Sequence, residues 1–490
     1  MSFSLEIFRT LVNRLENECL VYKNSFHLKD NRGFFLCRKR TKKFFCEVSY
    51  KKDFVLGNFI ENIIEEKPDD KIVYIGLFEC SIENSKKIAL IFDYLIPTML
   101  NKNVSVGFGD RVGIATAAHV RIARKYDFFP IFTQQSVREI TKTSRDCETV
   151  LHNAVTGIFQ EGYTGNWGAD ADHIRDKKWV KVMLNNTYLP YTMFTIDTYD
   201  YVNLETDISY SSIDKDEKFK DRLKKSKKYI GKDFNFSGYK FRYDENNLYF
   251  IVKRYYRCLD YLSDCYNMIK EKNKEFGFEP AFDEREIDTT PEEHFYLASE
   301  LINDGFAFNT FAPKFPGIFE KGVDYEGSLD DFIFNLKIHN SITKYFGSYK
   351  LSIHSTDDKF KIFKHLRDIL GYNFHIKTSG TTWMESLRTV AEFNPALFNK
   401  LFESTFKKAQ ENSKDYYIQL DYEKIKNLLK VEKLLDFVDI SETRQLLHVS
   451  YGTVINEFRQ EILETLYDHE EEYFKNIITN YKKQLDSILS

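Results

Sequence analysis

The sequence predicts an α/β protein built on a TIM-like (β/α)8 barrel, with an N-terminal flanking region and a C-terminal helical extension. Three observations predict this fold. Eight short apolar runs follow one another between residues 104 and 378. Each run ends abruptly in polar or charged residues, and stretches with helical spacing separate the runs. Because such barrels carry their functional groups at the carboxyl ends of the strands, the pattern indicates an enzyme.

The eight predicted strands lie in order along this region, about one β/α unit apart in most cases. They are the runs VSVGFG from Val104, FPIFTQQ from Phe129, WGADADH from Trp167, MFTIDT from Met193, FEPAFDE from Phe278, FAFNTFAP from Phe306, YKLSIHS from Tyr349 and NFHIKTS from Asn373. WGADADH is the weakest strand, since its Gly and Asp content also suits a loop.

The longest gap between predicted strands indicates an insertion at about residues 200–276. Its first part is highly charged, and its second part has the apolar spacing of a long helix. We therefore expect a flanking or capping region at 1–100, a catalytic barrel at 101–397 and a helical region at 398–490.

Composition excludes several classes of partner. The 490 residues are 42% hydrophobic, which supports a large core, and a net charge of −4 argues against nucleic acid as a partner. The most apolar stretch, 88–100, is interrupted by Asp93 and Pro97, so we expect no membrane segment. Seven cysteines without a CxxC pair, and an N-terminus unlike a signal peptide, predict a reducing, cytoplasmic location.

Three histidines at strand ends suggest a metal site. His173 follows the acid-rich run GADAD, while His354 and His375 end two neighbouring strands. We expect these imidazoles to converge on one divalent cation, with Glu284 as a fourth ligand or as a base. Mixed histidine and carboxylate ligands suit Zn, Mn, Ni, Co or Fe. The alternative is that one or more of the histidines packs in the barrel mouth without metal.

Other polar residues at the strand ends suit a sugar acid. We expect Glu139, Glu284 and Asp172 to move protons, and Gln134 and Gln135 to hydrogen-bond hydroxyl groups. Cations at the same edge suit a carboxylate. The remaining predicted substrate-binding residues are Asp110, Arg111, Arg138, Lys314, Lys350, Lys359 and Lys377.

One glycine-rich motif resembles a dinucleotide-binding fingerprint, which would indicate NAD binding. Gly107, Gly109 and Gly113 in VSVGFGDRVG have the spacing GxGxxxG, which departs from the dinucleotide-binding GxGxxG, and no acidic strand end follows about twenty residues later. The sequence also contains no GxxxxGK[ST], HExxH or GxSxG, which argues against nucleotide hydrolases, zincins and serine hydrolases.

Taken in order, the motifs resemble those of the tagaturonate/fructuronate epimerase family of bacterial uronate catabolism. The matching stretches are GFGDRVGIAT, PIFTQQSVRE, GADADHI, FTID, FDEREIDTTPEEH, FAPKFPGIFEKGVDYEG, YKLSIHSTDDKF and HIKTSGTTWMESLR. The resemblance implies a barrel enzyme that uses a divalent metal to interconvert two keto-uronates. Lys314 stands where the family pattern has Arg, which affects how a carboxylate is held.

The implied reaction inverts C4, which is not α to the C2 ketone, so simple enolisation does not explain it. Retro-aldol cleavage between C3 and C4, rotation of the aldehyde and re-addition would do so; transient oxidation at C4 lacks a visible cofactor site. Two alternatives remain: a metal-dependent aldolase, isomerase or epimerase of another keto-sugar, and an inactive sugar-acid-binding homologue. The last predicts that Glu139→Gln changes no measurable property.

Overall fold

The protein is described by a computed structural model that covers residues 15–16, 18–57, 64–66, 72–204, 215–284, 287–409, 425 and 434–489. The predicted flanking region, insertion and C-terminal region each extend over some residues outside this set. Their proposed boundaries therefore stay predictions.

The first strands form a small antiparallel sheet that packs against the barrel. Their spatial order is β1-β2-β3-β5-β4. Alternate residues face opposite sides of the sheet, so that Phe34 and Leu36 join the main core, whereas Phe35 and Cys37 belong to a second, smaller core. The elements are β1 (Leu20–Lys29), β2 (Arg32–Lys39), β3 (Lys42–Ser49), β4 (Ile64–Glu66), β5 (Val73–Glu79) and α1 (Ile82–Ile91).

Eight parallel strands form the barrel, which confirms the predicted fold. They are β6 (Val104–Phe108), β7 (Phe129–Ser136), β8 (Gly168–Ile174), β9 (Met193–Asp197), β12 (Gly277–Ala281), β13 (Thr310–Phe311), β14 (Lys350–Ile353) and β15 (Phe374–Thr378). The sheet runs β12-β9-β8-β7-β6-β15-β14-β13, and a parallel bridge from Ala281 to Ala312 links its two edges. Every predicted strand is present, including WGADADH as β8.

Helices follow the barrel strands and cover their outer faces. Most begin with a side-chain cap; Ser136, for example, forms a capping box with Glu139 that starts the short helix after β7. These helices are α2 (Thr116–Ala123), α3 (Val137–Lys142), α4 (Cys147–Glu161), α5 (Lys177–Leu184), α8 (Pro291–Asn303), α9 (Leu329–Phe346), α10 (Phe360–Leu370) and α11 (Thr381–Phe393).

The insertion lies between β9 and β12. It contains α6 (Glu217–Ser226), a hairpin of β10 (Asp233–Phe236) and β11 (Tyr239–Arg242), and the predicted long helix, α7 (Glu245–Lys272). Tyr255, Leu259 and Leu262 of α7 are buried, because apolar residues recur at helical spacing on one face.

The chain ends in helices that pack back onto the barrel. They are α12 (Pro395–Lys407), α13 (Leu434–Asp439), α14 (Ser441–Val449), α15 (Tyr451–Asp468) and α16 (Glu470–Leu489). Tyr473 and Tyr481 of α16 are buried, and both hydroxyl groups hydrogen-bond to residues that follow β15 or end it. Among the helices of the described residues, none combines the length and apolar composition needed to cross a bilayer.

Candidate active site at the carboxyl ends of the strands

A polar pocket opens at the carboxyl ends of the barrel strands. Residues from β7, β8, β15, helix α3 and the loops after β6, β12, β13, β14 and β15 converge on it, because parallel strands direct their carboxyl ends to one face. The residues that line the pocket are Arg111, Gln134, Ser136, Arg138, Glu139, Asp172, His173, Glu284, Lys321, His354, Ser355, Lys377 and Ser379.

Two imidazoles that line this pocket meet one carboxylate, that of Asp283. The ligand atoms of His173, Asp283 and His354 lie within 4.8 Å of one another. His354 Nδ1 is 3.3 Å from His173 Nε2 and 2.9 Å from Asp283 Oδ1. Asp283 Oδ1 nevertheless accepts no hydrogen bond of good geometry from the residues that the structure describes. Three donor atoms aimed at one point, one of them without a hydrogen bond, fit a divalent cation.

Carboxylates behind both imidazoles fix their orientation. Asp172 Oδ1 is 2.9 Å from His173 Nδ1, and Glu279 Oε1 is 2.8 Å from His354 Nε2. Each carboxylate engages one ring nitrogen and leaves the other facing Asp283. This is the usual arrangement around metal-binding histidines, in which a carboxylate sets the tautomer and the ring direction.

The backbone of β8 explains how His173 reaches the pocket beside Asp172. Neighbouring residues of a strand normally point to opposite faces. The pairing of β8 with β9 shifts register between Ala171 and Ile174, and His173 has a φ of 48°. This bulge turns His173 toward the same side as Asp172, at the cost of a backbone conformation that non-glycine residues rarely adopt.

A buried lysine holds the acids beneath the pocket. Lys377 Nζ lies 2.7 Å from Asp170, 2.8 Å from Asp172 and 2.8 Å from Glu279. Burial raises the pKa of Asp170 to about 6. Burial opposes ionisation of Asp172 too, but the charges of His173 and Lys377 hold its pKa well below the usual value. Lys377 thus keeps Asp172 and Glu279 ionised where they orient the imidazoles.

Two ion pairs form the wall of the pocket. Arg111 is 2.7 Å from Glu139 Oε1, and Arg138 is 2.8 Å from Glu284 Oε1. Arg175 also pairs with Glu284. Although burial opposes it, the charges of Arg138 and of nearby cations lower the pKa of Glu284 to about 2. Glu284 is therefore a weak base.

Nine of the predicted site residues line this pocket. They are Arg111, Gln134, Arg138, Glu139, Asp172, His173, Glu284, His354 and Lys377. These residues lie together because the parallel strands place their carboxyl ends at the same side of the barrel, as the sequence pattern predicts.

His375 and Lys350 lie deeper in the barrel. His375 pairs in register with Ser352, two residues before His354, and therefore sits about 6–7 Å below it. Its Nδ1 contacts the Ser105 hydroxyl at 2.9 Å, and burial lowers its pKa to about 3. Lys350 begins β14 and donates to backbone oxygens of residues 102 and 103 at the opposite end of the barrel.

The other four predicted residues form hydrogen bonds with residues around the pocket, most of them in the loops after the strands. Asp110 accepts three backbone N–H bonds after β6, from Val112, Gly113 and Ala115. Gln135 contacts Arg145 and Glu139. Lys314 and Lys359 both donate to backbone carbonyls of the loop after β13, at Gly317 and at Glu320 and Val323 respectively.

Sequence reasoning missed Asp283, Glu279, Lys321 and Ser355. Glu279 carried a usable signal, since an acid inside the apolar run FEPAF needs a buried partner. Asp283 directly precedes the predicted Glu284, so that only the backbone geometry distinguishes them. Lys321 comes from a loop, where strand register gives no guidance.

Fold and site together define a β/α-barrel enzyme with a charged pocket suited to a metal ion and a polyhydroxy ligand. The tagaturonate epimerase family model (UxaE) matches residues 22–488. The tagaturonate/fructuronate epimerase of Thermotoga maritima is 34% identical over 475 residues, covering 95% of this chain and 96% of the relative. The chain belongs to the tagaturonate epimerase family, whose members are isomerases.

Solved structures agree with this assignment. The fructuronate-tagaturonate epimerase UxaE from Cohnella laeviribosi, crystallised with one glycerol, superposes with a TM-score of 0.86 at 30% identity, covering 99% of both chains. Its native crystal structure gives a TM-score of 0.85, also at 30% identity, covering 98% of this chain and 99% of the other.

Proposed function

We propose that this protein interconverts D-tagaturonate and D-fructuronate by inverting C4 of the keto-uronate. The observation that carries the proposal is the grouping of His173, Asp283 and His354 at a pocket that Glu139 also lines. Relatives that match nearly the whole chain bear the name of this activity.

We propose that His173, Asp283 and His354 hold a divalent metal ion. The donor set of two nitrogens and one oxygen suits Zn, Mn, Ni, Co or Fe and leaves positions open for substrate oxygens. When bound, such an ion supplies Lewis-acid stabilisation of negative charge on the substrate's ketone oxygen. Without a cation, carboxylates raise the pKa of both histidines, Asp172 acting on His173 and Asp283 on His354, although burial opposes the shift.

The reaction we infer is a retro-aldol cleavage followed by re-addition. A base takes the proton of the C4 hydroxyl, the C4 oxygen becomes a carbonyl, and the C3–C4 electron pair moves toward C2 to give an enediolate. The aldehyde fragment then rotates, C3 attacks its other face, and the proton returns to the C4 oxygen. The hydrogen on C4 stays attached throughout.

Glu139 is the base that the geometry favours. Arg111 binds its Oε1, whereas its Oε2 accepts long hydrogen bonds, of 3.3 Å from Ser136 N and 3.5 Å from Gln135 Nε2. Oε2 is thus available to a hydroxyl group in the pocket. Asp172 and Glu284 have lowered pKa values, and each contacts two basic side chains: Lys377 and His173 for Asp172, and Arg138 and Arg175 for Glu284. We therefore assign both to positioning.

NMR of the purified protein with fructuronate tests the function. We expect tagaturonate to form and the metal content to be close to one ion per chain. Glu139→Gln should lower kcat by about a hundredfold to ten-thousandfold while it keeps the metal, because general-base catalysis contributes that much. Unchanged turnover in this variant would remove Glu139 as the base.

Substrate deuterated at C4 separates the mechanisms. Retro-aldol chemistry keeps the deuterium on C4 of the product, whereas loss of deuterium to water would contradict it. Free aldehyde and enediolate products would instead indicate an aldolase. Uronate binding without turnover would leave the inactive sugar-acid-binding homologue.

We further propose a cytoplasmic location and a small-molecule keto-uronate as partner. All seven cysteines are free thiols, which is typical of a reducing compartment. Fractionation of cells that express the protein tests the location.

A further inference from the structure

The lysine and arginine side chains of the pocket differ in whether they contact a carboxylate, and this difference bears on which substrate the enzyme selects. Among the residues that the structure describes, four lysine or arginine side chains line the pocket, and three of them already face carboxylates: Arg111 faces Glu139, Arg138 faces Glu284, and Lys377 faces three acids. Lys321, the fourth, has no carboxylate oxygen within 4.0 Å among the residues that the structure describes. Its Nζ donates to the Ser355 hydroxyl at 2.7 Å.

Lys321 stands next to the proposed metal ligands. Its partner Ser355 directly follows His354 and has a φ of 53°, which turns the chain sharply at this point. The acid nearest in sequence to Ser355 on that loop, Asp357, accepts backbone N–H bonds of 3.0, 3.1 and 2.9 Å from residues 379, 380 and 381. Asp357 is therefore committed to the start of α11. Although burial opposes the shift, the charge of Lys321 helps to lower the pKa of Asp357, but the two groups form no ion pair within 4.0 Å, so the Lys321 ammonium can still contact a ligand in the pocket.

The loop that carries Lys321 is held by the C-terminal helix α14. Arg444 Nε donates to the Gly322 carbonyl at 3.0 Å, and Gln445 donates to the Glu320 carboxylate. Both sequence neighbours of Lys321 are thus fixed from outside the pocket. The ammonium group is placed by its backbone and needs no acidic partner within the site, so a ligand can take that place without breaking an ion pair.

We propose that Lys321, together with the Ser355 hydroxyl, binds the carboxylate of the keto-uronate and makes the enzyme select a sugar acid over a neutral ketose. This rests on the proposed function. Binding a carboxylate in a half-buried pocket requires an opposing charge. Arg111, Arg138 and Lys377 could supply this charge only by breaking ion pairs that they already form. Lys321 can supply it without breaking an ion pair.

Steady-state kinetics of Lys321→Gln and Lys321→Arg test this. For the keto-uronate we expect Lys321→Gln to raise KM by about tenfold to a hundredfold, the usual loss for one charge-assisted hydrogen bond, with kcat changed by less than about threefold. Lys321→Arg should recover most of the loss, because it keeps the charge. The inhibition constant of the neutral ketohexose, with a C6 hydroxyl in place of the carboxylate, should not change.

Lys364→Gln is the matched control. Lys364 lies exposed on α10 outside the pocket, and its substitution by Gln removes one positive charge, as Lys321→Gln does. Metal content and melting temperature of each variant show whether the site is intact. An unchanged KM in Lys321→Gln, with the wild type active, overturns the role of Lys321 and leaves the function standing. Equal weakening of the uronate and the neutral ketose would show a merely structural role and overturn it too.

Calorimetric binding of the keto-uronate keeps the two proposals distinct. If the wild type binds the uronate without turnover, the proposed function fails, and the affinity of Lys321→Gln still decides the role of Lys321. Absence of both turnover and binding overturns both proposals.

Discussion

At the scale of single residues, the site depends on which atoms face one another. His354 and His375 lie on neighbouring strands, yet only His354 presents a nitrogen to Asp283 and His173. Glu279 turns His354 toward that group, whereas the Ser105 hydroxyl holds His375 one layer below. Two histidines of similar sequence context thus occupy different environments.

This difference gives a direct test of the metal site. We expect His354→Ala to lose most of the bound metal, because it removes one of three ligands. His375→Ala should keep the metal and lose mainly stability, by about 1–3 kcal/mol, since it empties a buried site and removes one of the two hydrogen-bond partners of the Ser105 hydroxyl, the other being Lys350. Metal analysis of both purified variants, with urea unfolding, measures the two effects. Metal loss in His375→Ala would restore the three-histidine site that the sequence suggested.

The sequence predicts which residues lie at the carboxyl ends of the barrel strands better than it predicts the contacts among them. The abrupt polar ends of apolar runs located Asp172, His173 and His354, because strand ends must face the pocket. Which of Asp283 and Glu284 groups with both imidazoles depends on the local geometry of the loop after β12, which no periodicity encodes. A fixed two-residue offset between β14 and β15 likewise separates His354 from His375, and register is invisible in a single strand.

At the scale of elements, the C-terminal helices take part in building the pocket. Helix α14 supports the loop at Gly322 through Arg444, and the His448 carbonyl accepts from Arg111 at 3.1 Å. The sequence predicted helices here from their amphipathic spacing. Their packing over the pocket was not predictable, because the contacts join residues more than a hundred positions apart.

A glycine lets α14 approach the start of α11. A Cβ added to Gly380 would lie 1.6 Å from His448 Nε2, although the backbone of Gly380, with φ −102° and ψ −25°, suits any residue. We expect Gly380→Ala to destabilise the protein by about 1–3 kcal/mol through overpacking and to raise KM, since α14 must move.

The double variant Gly380→Ala/His448→Ala provides the control. Removal of the imidazole gives the methyl group room, so the two changes should be strongly non-additive in urea unfolding. Additive effects would show that the close approach of Gly380 and His448 does not set the position of α14.

At the scale of the whole molecule, burial of neutral histidines makes stability depend on pH. His119 of α2 packs against Phe108 and Tyr481, with ring centroids 4.8 and 5.6 Å away. Neither of its ring nitrogens has a hydrogen-bond partner among the described residues. Burial lowers the pKa of His119 to about 3 and also lowers those of His27 and His339 to about 4.

Acidification should therefore destabilise the fold in a defined window. Below pH 6.5 the unfolded chain binds a proton on each such histidine, while the folded chain does not until its lower pKa is reached. The contribution of these histidines to the free energy of unfolding is thus complete above pH 6.5. It falls as the pH decreases toward 3, by up to about 1.4 kcal/mol per pH unit for each histidine. His119→Phe keeps an aromatic ring packed against Phe108 and Tyr481 and removes one such proton site. Urea unfolding at pH 8 and pH 5 should show a smaller stability loss in the variant than in the wild type. Equal losses would mean that His119 is protonated without disturbing the fold.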